Sequence, residues 1–321
     1  MKSKNILGLE ECDLEHLVEK MGEKPFRGRQ LYRQLYRRKE FNVEEMTDLA
    51  KSFRDRLQRE VYAALPEITD RSEAGDGTVK FLFRLEDGEF IETVYIPEEG
   101  RDTLCISSQV GCGIGCTFCM TAQMGFRRNL RSGEILGQVL SVIRQGLLEN
   151  SGFNIVFMGM GEPLYNYRNV MKAFRILTDE GGMNLSYRKI TLSTSGVVPV
   201  LKRLAEEPRI PNLAVSLNAT DDGTRSRIMP INRKWPLQDL LEVCRTFPLE
   251  PRRRITFEYV LLHGETDRRE DAVRLARLIR GIPAKINLIP YNRNPGLPHE
   301  SPPADHVERF AGWLGEQNVP A

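Results

Sequence analysis

Apolar and polar positions alternate in a regular pattern from residue 103 onwards. Short apolar runs typical of buried strands are TLCISSQ, NIVFMGM, KITLSTS, NLAVSLN, RITFEYVLL and KINLIPYN. Segments with helical periodicity lie between them, such as SGEILGQVLSVIRQGLL and DRREDAVRLARLIRG. Strands that alternate with helices predict a parallel sheet with right-handed crossovers. Six such units are too few to close an eight-stranded barrel. We therefore expect an α/β fold built as a partial, open (β/α)6 barrel.

Most of the predicted strands end in small or polar residues. These endings are SSQVGCG, GMGEP, STSG, SLNAT and PYN. Strand burial explains the apolar runs, but it does not explain polar endings that recur in this way. In parallel α/β folds ligands bind at the carboxyl ends of the strands, so we expect the functional site there.

The first hundred residues follow a different pattern. Residues 10–65 predict helices without strands, and the helical segments are ECDLEHLVEKM, PFRGRQLYRQLYRRKE and FNVEEMTDLAKSFRDRLQREV. Residues 75–96 predict a β-hairpin that turns at Asp87–Gly88. The predicted organisation is a helical accessory domain over 1–74, a hairpin linker over 75–100 and the partial barrel over 101–321.

Composition and charge exclude several classes of protein. The 321 residues are 40% hydrophobic and 28% charged, which is ordinary for a globular chain. No apolar run reaches the roughly 20 residues of a membrane span, and the N-terminus lacks the apolar core of a signal peptide. Six cysteines are too few for a disulfide scaffold, so we expect a cytoplasmic protein with reduced thiols. One continuous fold gives no reason to expect more than a monomer.

Three cysteines lie within eight residues in the segment VGCGIGCTFCM, at positions 112, 116 and 119. A structural zinc site would need a fourth ligand, and a second CxxC is absent from the sequence. A redox CxxC would not need Cys112, and buried structural cysteines would need no such spacing. Iron–sulfur clusters are usually held by four cysteines, so three leave one iron free for a substrate or cofactor. This spacing favours a catalytic cluster over zinc or structural cysteines.

The sequence resembles a known family at these motifs. CxxxCxxC with Phe118 before its last cysteine, and GMGEP at 159–163, are similar to the signatures of radical S-adenosylmethionine (SAM) enzymes. From about residue 5 to 320 the chain resembles the RlmN family of adenine carbon-2 methyltransferases, and the related carbon-8 family Cfr shares many of the segments. The segments that carry the resemblance are residues 91–130, FMGMGEPLYN, TLSTSGVVP, AVSLNAT, MPIN and NLIPYN.

The resemblance implies a [4Fe-4S] cluster on Cys112, Cys116 and Cys119, with SAM bound to the open iron through its amino and carboxylate groups. The residues implied to contact SAM are Gly161, Glu162, Ser193, Ser216, Leu217, Asn218 and Asn292. The family more often has histidine where this chain has Asn218, and a backbone contact would survive that change.

Two further residues have implied catalytic roles. Alternation places Glu92 on one strand face with Phe90, Val94 and Ile96, so its carboxylate either faces solvent at an edge or is desolvated with a raised pKa. The resemblance implies that Glu92 is the base that removes the ring proton. Cys105 alone would be a small apolar residue of a buried strand. The resemblance implies instead that it is the second redox cysteine.

The family reaction uses two SAM molecules. One methylates a carrier cysteine near the C-terminus, and the second yields the 5′-deoxyadenosyl radical that activates this methyl group for addition to adenine. Cys105 would then form a disulfide with the carrier. The family segment RGDDIDAACGQL does not occur in the sequence, which stops at EQNVPA. We therefore expect a truncated chain that binds cluster and SAM but yields little or no methylated RNA.

The implied substrates are an adenine of 23S rRNA and the adenine 3′ of the anticodon in some tRNAs, with a flavodoxin-like electron donor as a further partner. The basic segments PFRGRQLYRQLYRRK, FRRNLR and PRRRIT form local cationic patches. The resemblance implies that the first of them, in the helical domain, contacts RNA phosphate, although a solvated helix face would look similar. Two alternatives remain open, a Cfr-like carbon-8 methyltransferase and a non-catalytic, metal-stabilised RNA-binding protein.

Overall fold

The computed structural model describes residues 4–148 and 152–320. The α-helices are α1 Glu11–Lys20, α2 Phe26–Tyr36, α3 Lys51–Glu60, α4 Met120–Gln123, α5 Ser132–Arg144, α6 Tyr167–Thr178, α7 Val198–Leu204, α8 Asp222–Ile228, α9 Leu237–Thr246, α10 Arg269–Leu278 and α11 His306–Gly315. The strands are β1 Lys4–Asn5, β2 Val61–Tyr62, β3 Glu67–Glu73, β4 Val79–Arg84, β5 Phe90–Ile96, β6 Thr103–Cys105, β7 Gln109–Gly111, β8 Phe126–Asn129, β9 Asn154–Phe157, β10 Ile190–Thr194, β11 Asn212–Ser216, β12 Ile255–Leu261 and β13 Ala284–Pro290.

Contacts between residues divide the chain into two compact units. The first unit comprises Met1–Val110, Asn129–Met160 and Asn166–Ile190. The second unit comprises Gly111–Arg128, Gly161–Tyr165 and Thr191–Ala321. The domain boundaries at residues 74 and 100 remain predictions from the sequence.

The helical start of the first unit agrees with its apolar periodicity. Helices α1 and α2 bury Leu14 and Val18 on one side and Leu31 and Leu35 on the other. They approach closely at Gly28, where a Cβ atom would lie 2.5 Å from the backbone nitrogen of Glu15. The prediction of helices without strands over residues 10–65 was wrong at its end, because β2 at Val61–Tyr62 pairs in parallel with β1.

The sheet of the first unit has the strand order β3-β4-β5-β6-β9. Antiparallel pairing of β4 with β5 confirms the predicted hairpin, and β6 pairs in parallel with β9. β3 was not predicted, because its sequence EITDRSE is almost entirely exposed and lacks an apolar pattern. One face of β5 is buried through Ile91, Thr93 and Tyr95, whereas the opposite face is more exposed.

The second unit contains four parallel strands in the order β10-β11-β12-β13. Helices follow each strand, so the alternation predicted from the sequence is confirmed. Leu192, Val215 and Phe257 supply part of the apolar core on this sheet. Together with β6 and β9 of the first unit, all six predicted strands are present.

No helix in the described ranges 4–148 and 152–320 has the length and apolar character needed to cross a membrane.

Candidate functional site

The three-cysteine loop lies in the second unit, between β7 and α4. Gly111 has a φ of 70°, and a Cβ atom on it would lie 1.8 Å from the carbonyl oxygen of Gly125. Only glycine fits this close backbone approach. The Cys112 N–H donates to the same oxygen at 3.1 Å, and the Cys119 N–H donates to the Cys116 carbonyl at 3.3 Å. These contacts fold the loop tightly around its cysteines.

The thiols of this loop interact electrostatically with one another. Burial raises the pKa of Cys112 to about 11, with a smaller contribution from Cys119. Burial raises the pKa of Cys116 further, and both neighbouring cysteines add to the effect. Three adjacent thiolates are therefore unfavourable without a cation. A cluster with positively charged irons would remove that penalty, so these residues fit such a group.

A single metal ion and a cluster place different demands on the three thiols. Tetrahedral zinc requires its ligands to converge on one point. In a cubane cluster each thiolate binds a different iron, so the three sulfur atoms need not meet at one point. Among the residues described by the structure, no three histidine, cysteine or carboxylate side chains form a group that could hold one metal ion.

Glu162 is a buried carboxylate at the centre of a hydrogen-bond network. The backbone N–H and the hydroxyl of Ser195 both donate to its Oε2 at 2.7 Å, and the Leu164 N–H donates to its Oε1 at 3.0 Å. Burial raises the pKa of Glu162, while these hydrogen bonds oppose the increase. Gly161 has a φ of 102°, a conformation that favours glycine. The carboxylate is thereby fixed before any ligand binds.

Arg225 of α8 ties the strand ends of the second unit together. Its guanidinium is fully buried and donates to the backbone carbonyls of Leu217 at 2.9 Å, Ser195 at 2.8 Å and Ser216 at 3.0 Å. It also donates to the Asn232 side chain at 2.9 Å. Burial lowers the pKa of Arg225 to about 10, so the group remains a cation at neutral pH. Arg225 also interacts electrostatically with Cys116, which links the strand ends to the cysteine loop.

The SAM-contact candidates on β10 and β11 lie at these same strand ends. Ser193 is buried in β10, and Ser216 ends β11. Asn218 has a φ of 57°, which asparagine and histidine tolerate better than most residues. This shared tolerance accounts for an asparagine where the family often has histidine. The Asn218 side chain accepts from the Val260 N–H at 3.0 Å and donates to Met229 Sδ at 3.2 Å.

Asn292 follows β13 and is exposed. Its backbone carbonyl accepts from the Asn294 side chain at 2.9 Å. The second unit thus holds the cluster cysteines and every residue that the sequence indicates as a SAM contact.

Glu92 and Cys105 lie in the first unit, on adjacent strands. Val94 of β5 pairs with Cys105 of β6, and Glu92 lies two residues from Val94, so all three side chains share one face. The Glu92 side chain is 46% exposed and forms an ion pair with Lys80 at 3.0 Å. It is therefore neither desolvated nor on an edge strand. Cys105 is half-buried. Desolvation raises the pKa of its thiol to about 11, although a hydrogen bond with the Met158 backbone lowers this pKa in part.

Known proteins resemble this chain over nearly its whole length. A sequence model of the radical SAM superfamily matches residues 106–276, and one described as the ribosomal RNA large subunit methyltransferase N-terminal domain matches residues 4–63. A dual-specificity RNA methyltransferase RlmN from Anaeromyxobacter dehalogenans is 52% identical over 314 residues, which cover 96% of this chain and 84% of the relative. The chain belongs to the RlmN family. An RlmN 2 from Myxococcus xanthus is 47% identical, over 95% of this chain and 82% of that protein.

A solved structure agrees with this assignment. The crystal structure of a radical SAM methyltransferase from Sphaerobacter thermophilus matches with a TM-score of 0.93 and 41% identity, covering 99% of this chain and 94% of that one. The predicted fold class, a partial radical SAM barrel with a helical N-terminal region, is confirmed. Membership of the RlmN family gives the chain methyltransferase chemistry, with a [4Fe-4S] cluster and SAM as cofactors.

Sequence reasoning missed two residues of this RlmN site. Ser195 belongs to TLSTSG, from which only Ser193 was selected, although Ser195 is the residue that bonds to Glu162. Arg225 precedes the MPIN motif by four residues and was not considered. Arg225 lies three residues before the buried Ile228, so both side chains lie on the same face of α8. This spacing could have indicated a buried arginine, because an arginine on the apolar face of a helix is buried only with hydrogen-bond partners.

Proposed function

We propose that this chain, together with the carrier cysteine that the family reaction requires, methylates carbon 2 of an adenine in 23S rRNA, and of the adenine 3′ of the anticodon in some tRNAs. The observation that carries the proposal is the 52% identity, over 96% of the chain, to a dual-specificity RNA methyltransferase. The matched segment includes the three-cysteine loop and the Glu162–Ser195–Arg225 network. Both relatives described above bear the RlmN name, which favours carbon 2 over carbon 8.

The residues of the second unit would hold the cofactors. Cys112, Cys116 and Cys119 would hold the cluster, and the backbone at Gly161 and at 216–218 would position SAM with the side chains of Ser193 and Asn292. Glu162 places a carboxylate near the cysteine loop, since it interacts electrostatically with Cys112. That negative charge suits the amino group of SAM. When bound, the cluster supplies the electron that cleaves SAM reductively.

The residues of the first unit would act on the RNA base. Glu92 accepts the ring proton, and its ion pair with Lys80 keeps the carboxylate oriented on an accessible face. Cys105, once deprotonated, would attack the sulfur of the methyl-carrying cysteine of the family mechanism. An S–S bond then forms as the C–S bond to the adduct breaks, and the electron pair of that bond stays with the base, which takes up a proton to complete its methyl group. Glu92 is exposed on this face and Cys105 is half-buried on it, so an accessible carboxylate is available to a macromolecular substrate.

Helix α2 would contact RNA. Its first residue, Phe26, is exposed, and the guanidinium of Arg27 lies 4.7 Å from the centre of that ring. Stacked aromatic and guanidinium groups of this kind bind unpaired bases and phosphates. Arg27 also donates to the Gln30 side chain at 2.8 Å, and Arg29 pairs with Glu15. Arg38, which follows the helix, pairs with Asp48. We further place the protein in the cytoplasm as a monomer that receives electrons from an external, flavodoxin-like donor.

Nucleoside mass spectrometry tests the proposal. In a strain of the source organism that lacks the gene, we expect 2-methyladenosine to disappear from 23S rRNA and from tRNA. The wild-type gene should restore it, and a Cys116→Ser gene should not. Loss of 8-methyladenosine instead would indicate a Cfr-like enzyme. Unchanged adenosine modification would contradict the proposal and favour an RNA-binding role without catalysis.

A further inference from the structure

A buried histidine contacts the loop of the cluster cysteines. His299 is 5% exposed and lies in the segment after β13. Its Nε2 atom is 2.7 Å from the hydroxyl oxygen of Thr117, a residue between Cys116 and Cys119. This contact joins positions 182 residues apart in the second unit. A hydrogen bond at that point reaches the peptide segment that separates two of the cluster ligands.

The opposite side of the imidazole is also held. Its Nδ1 atom lies 2.6 Å from Oε1 of Glu265, and the other oxygen of Glu265 pairs with Arg227 at 3.2 Å. Tyr291 contacts the ring edge-on at a centroid distance of 6.0 Å. We assign the Nδ1 proton from this network, because a carboxylate accepts from an N–H, which leaves Nε2 to accept the Thr117 hydroxyl proton.

Thr117 is therefore fixed by both its backbone and its side chain. Its N–H donates to the carbonyl of Ile228 at 3.0 Å, and its hydroxyl is held by His299. We propose that His299 is a positioning residue that holds the turn between Cys116 and Cys119 in the geometry that binds the cluster. This inference rests on the cluster assignment to those cysteines. Outer partners of metal ligands usually contribute about 10- to 100-fold to metal affinity or activity.

Cluster retention tests the inference without any RNA substrate. The reconstituted protein is mixed anaerobically with an iron chelator, and loss of the cluster absorption is followed in time. We expect His299→Ala and Thr117→Val to lose the cluster about 10-fold faster than the wild type. If both residues act through one hydrogen bond, the double variant should be no faster than the single ones.

Two conservative variants separate the two sides of the ring. The amide of His299→Gln stands near the position of Nε2 and can still reach Thr117, so we expect retention close to the wild type. The amide of His299→Asn stands near the position of Nδ1 and reaches Glu265 but not Thr117. This variant should lose the cluster as fast as His299→Ala. If His299 served only in packing, His299→Gln would not retain the cluster better than His299→Asn.

Controls keep the result decisive. His306→Gln removes another hydrogen-bonded histidine of the second unit, whose Nε2 binds the Asp267 carbonyl, and it should leave retention unchanged. Circular dichroism of the cluster-free variants checks folding, and Thr117→Val stands alone if the histidine variants misfold. Wild-type retention in Thr117→Val, or additive effects in the double variant, would overturn the inference. A wild-type protein that binds no cluster would overturn the cofactor assignment as well.

Discussion

Charged side chains are buried at the strand ends of the second unit, but they are exposed on the face of β5 that carries Glu92 in the first unit. Arg225 and Glu162 are buried, and each makes at least three hydrogen bonds with fixed partners. Glu92 is 46% exposed and has one ion-pair partner, Lys80, which is itself half-exposed. Burial of a charge costs free energy that only well-placed hydrogen bonds offset. Hydrogen bonds offset this free-energy cost for Arg225 and Glu162, where SAM is expected to bind. Glu92, where RNA is expected to bind, stays hydrated and needs no such compensation.

This difference has a functional meaning. A small cofactor needs its ligands preorganised, because groups that are already oriented lose little entropy on binding. A folded RNA needs an accessible surface on which a base can be placed beside the reacting groups. The strand ends of the second unit are accordingly fixed by internal hydrogen bonds, whereas Glu92 remains accessible to solvent.

Removal of a cluster ligand should abolish function in the second unit. Cys116→Ser is expected to prevent stable cluster binding and to leave no detectable methylated RNA, because a serine hydroxyl is a poor iron ligand at neutral pH. Iron content and absorption spectra measure the first effect, and nucleoside mass spectrometry measures the second. The exposed Cys12 of α1 provides the control, since Cys12→Ser should change neither. A fully loaded Cys116→Ser protein would contradict the ligand assignment.

Loss of the exposed Glu92 carboxylate should lower catalysis and leave cofactor binding unchanged. We expect Glu92→Gln to lower RNA methylation by about 10²- to 10⁴-fold, the usual contribution of a general base, with cluster content and SAM affinity unchanged. Complementation of the deletion strain measures the product. Glu67→Gln is the matched control, because Glu67 is 57% exposed and pairs with Arg84 in the same sheet. An equal loss in both variants would indicate a general effect of surface charge.

Loss of the buried Glu162 carboxylate should instead weaken the binding of SAM. Glu162→Gln keeps the shape but removes the negative charge that is proposed to attract the SAM amino group, and a hydrogen bond to a charged group contributes about 1.5–3 kcal/mol. The dissociation constant for SAM should rise by about 10- to 100-fold. Equilibrium dialysis with the reconstituted protein measures it. Asp271→Asn alters another buried, hydrogen-bonded carboxylate of this unit, beside Thr220, and should leave SAM affinity unchanged.

The pKa of Cys105 gives the smallest expected effect and depends on pH. Because burial raises this pKa to about 11, the thiol is protonated at neutral pH and the thiolate fraction grows with increasing pH. Alkylation of Cys105 by iodoacetamide should accelerate about tenfold for each pH unit between 7 and 9, and should still rise above pH 9. Free cysteine, with a pKa near 8.5, levels off in that range. Peptide mass spectrometry measures the rates, and a plateau below pH 9 would show an unperturbed thiol.

Much of the fold could be predicted because its elements are apolar in a regular way. The six barrel strands are short apolar runs, and α2 carries a clear helical stripe. β3 could not be predicted, since its pairing with β4 orders residues that are exposed on both faces. Alternation placed Glu92 on the correct face of β5 but could not show that this face is open. Both faces of β5 carry apolar residues, and Phe90 on the Glu92 side is 42% exposed.

The site could be predicted where its chemistry depends on neighbours in sequence. The cysteine loop and its glycines are local, so spacing alone indicated a cluster. Arg225 and His299 act through partners distant in sequence, and no local pattern identifies those partners. Ser195 was hidden by a second serine in the same motif. Tertiary hydrogen bonds of this kind become visible only when the strand ends are assembled.

The central claim is that the second unit holds a cluster on three cysteines with one iron open to SAM. Anaerobic reconstitution followed by iron analysis and electron paramagnetic resonance of the reduced protein tests it most directly. We predict about four irons and about four sulfides per chain, and a spectrum that changes when SAM is added. Stoichiometric zinc without iron, or an iron–sulfur spectrum that SAM leaves unchanged, would contradict the claim.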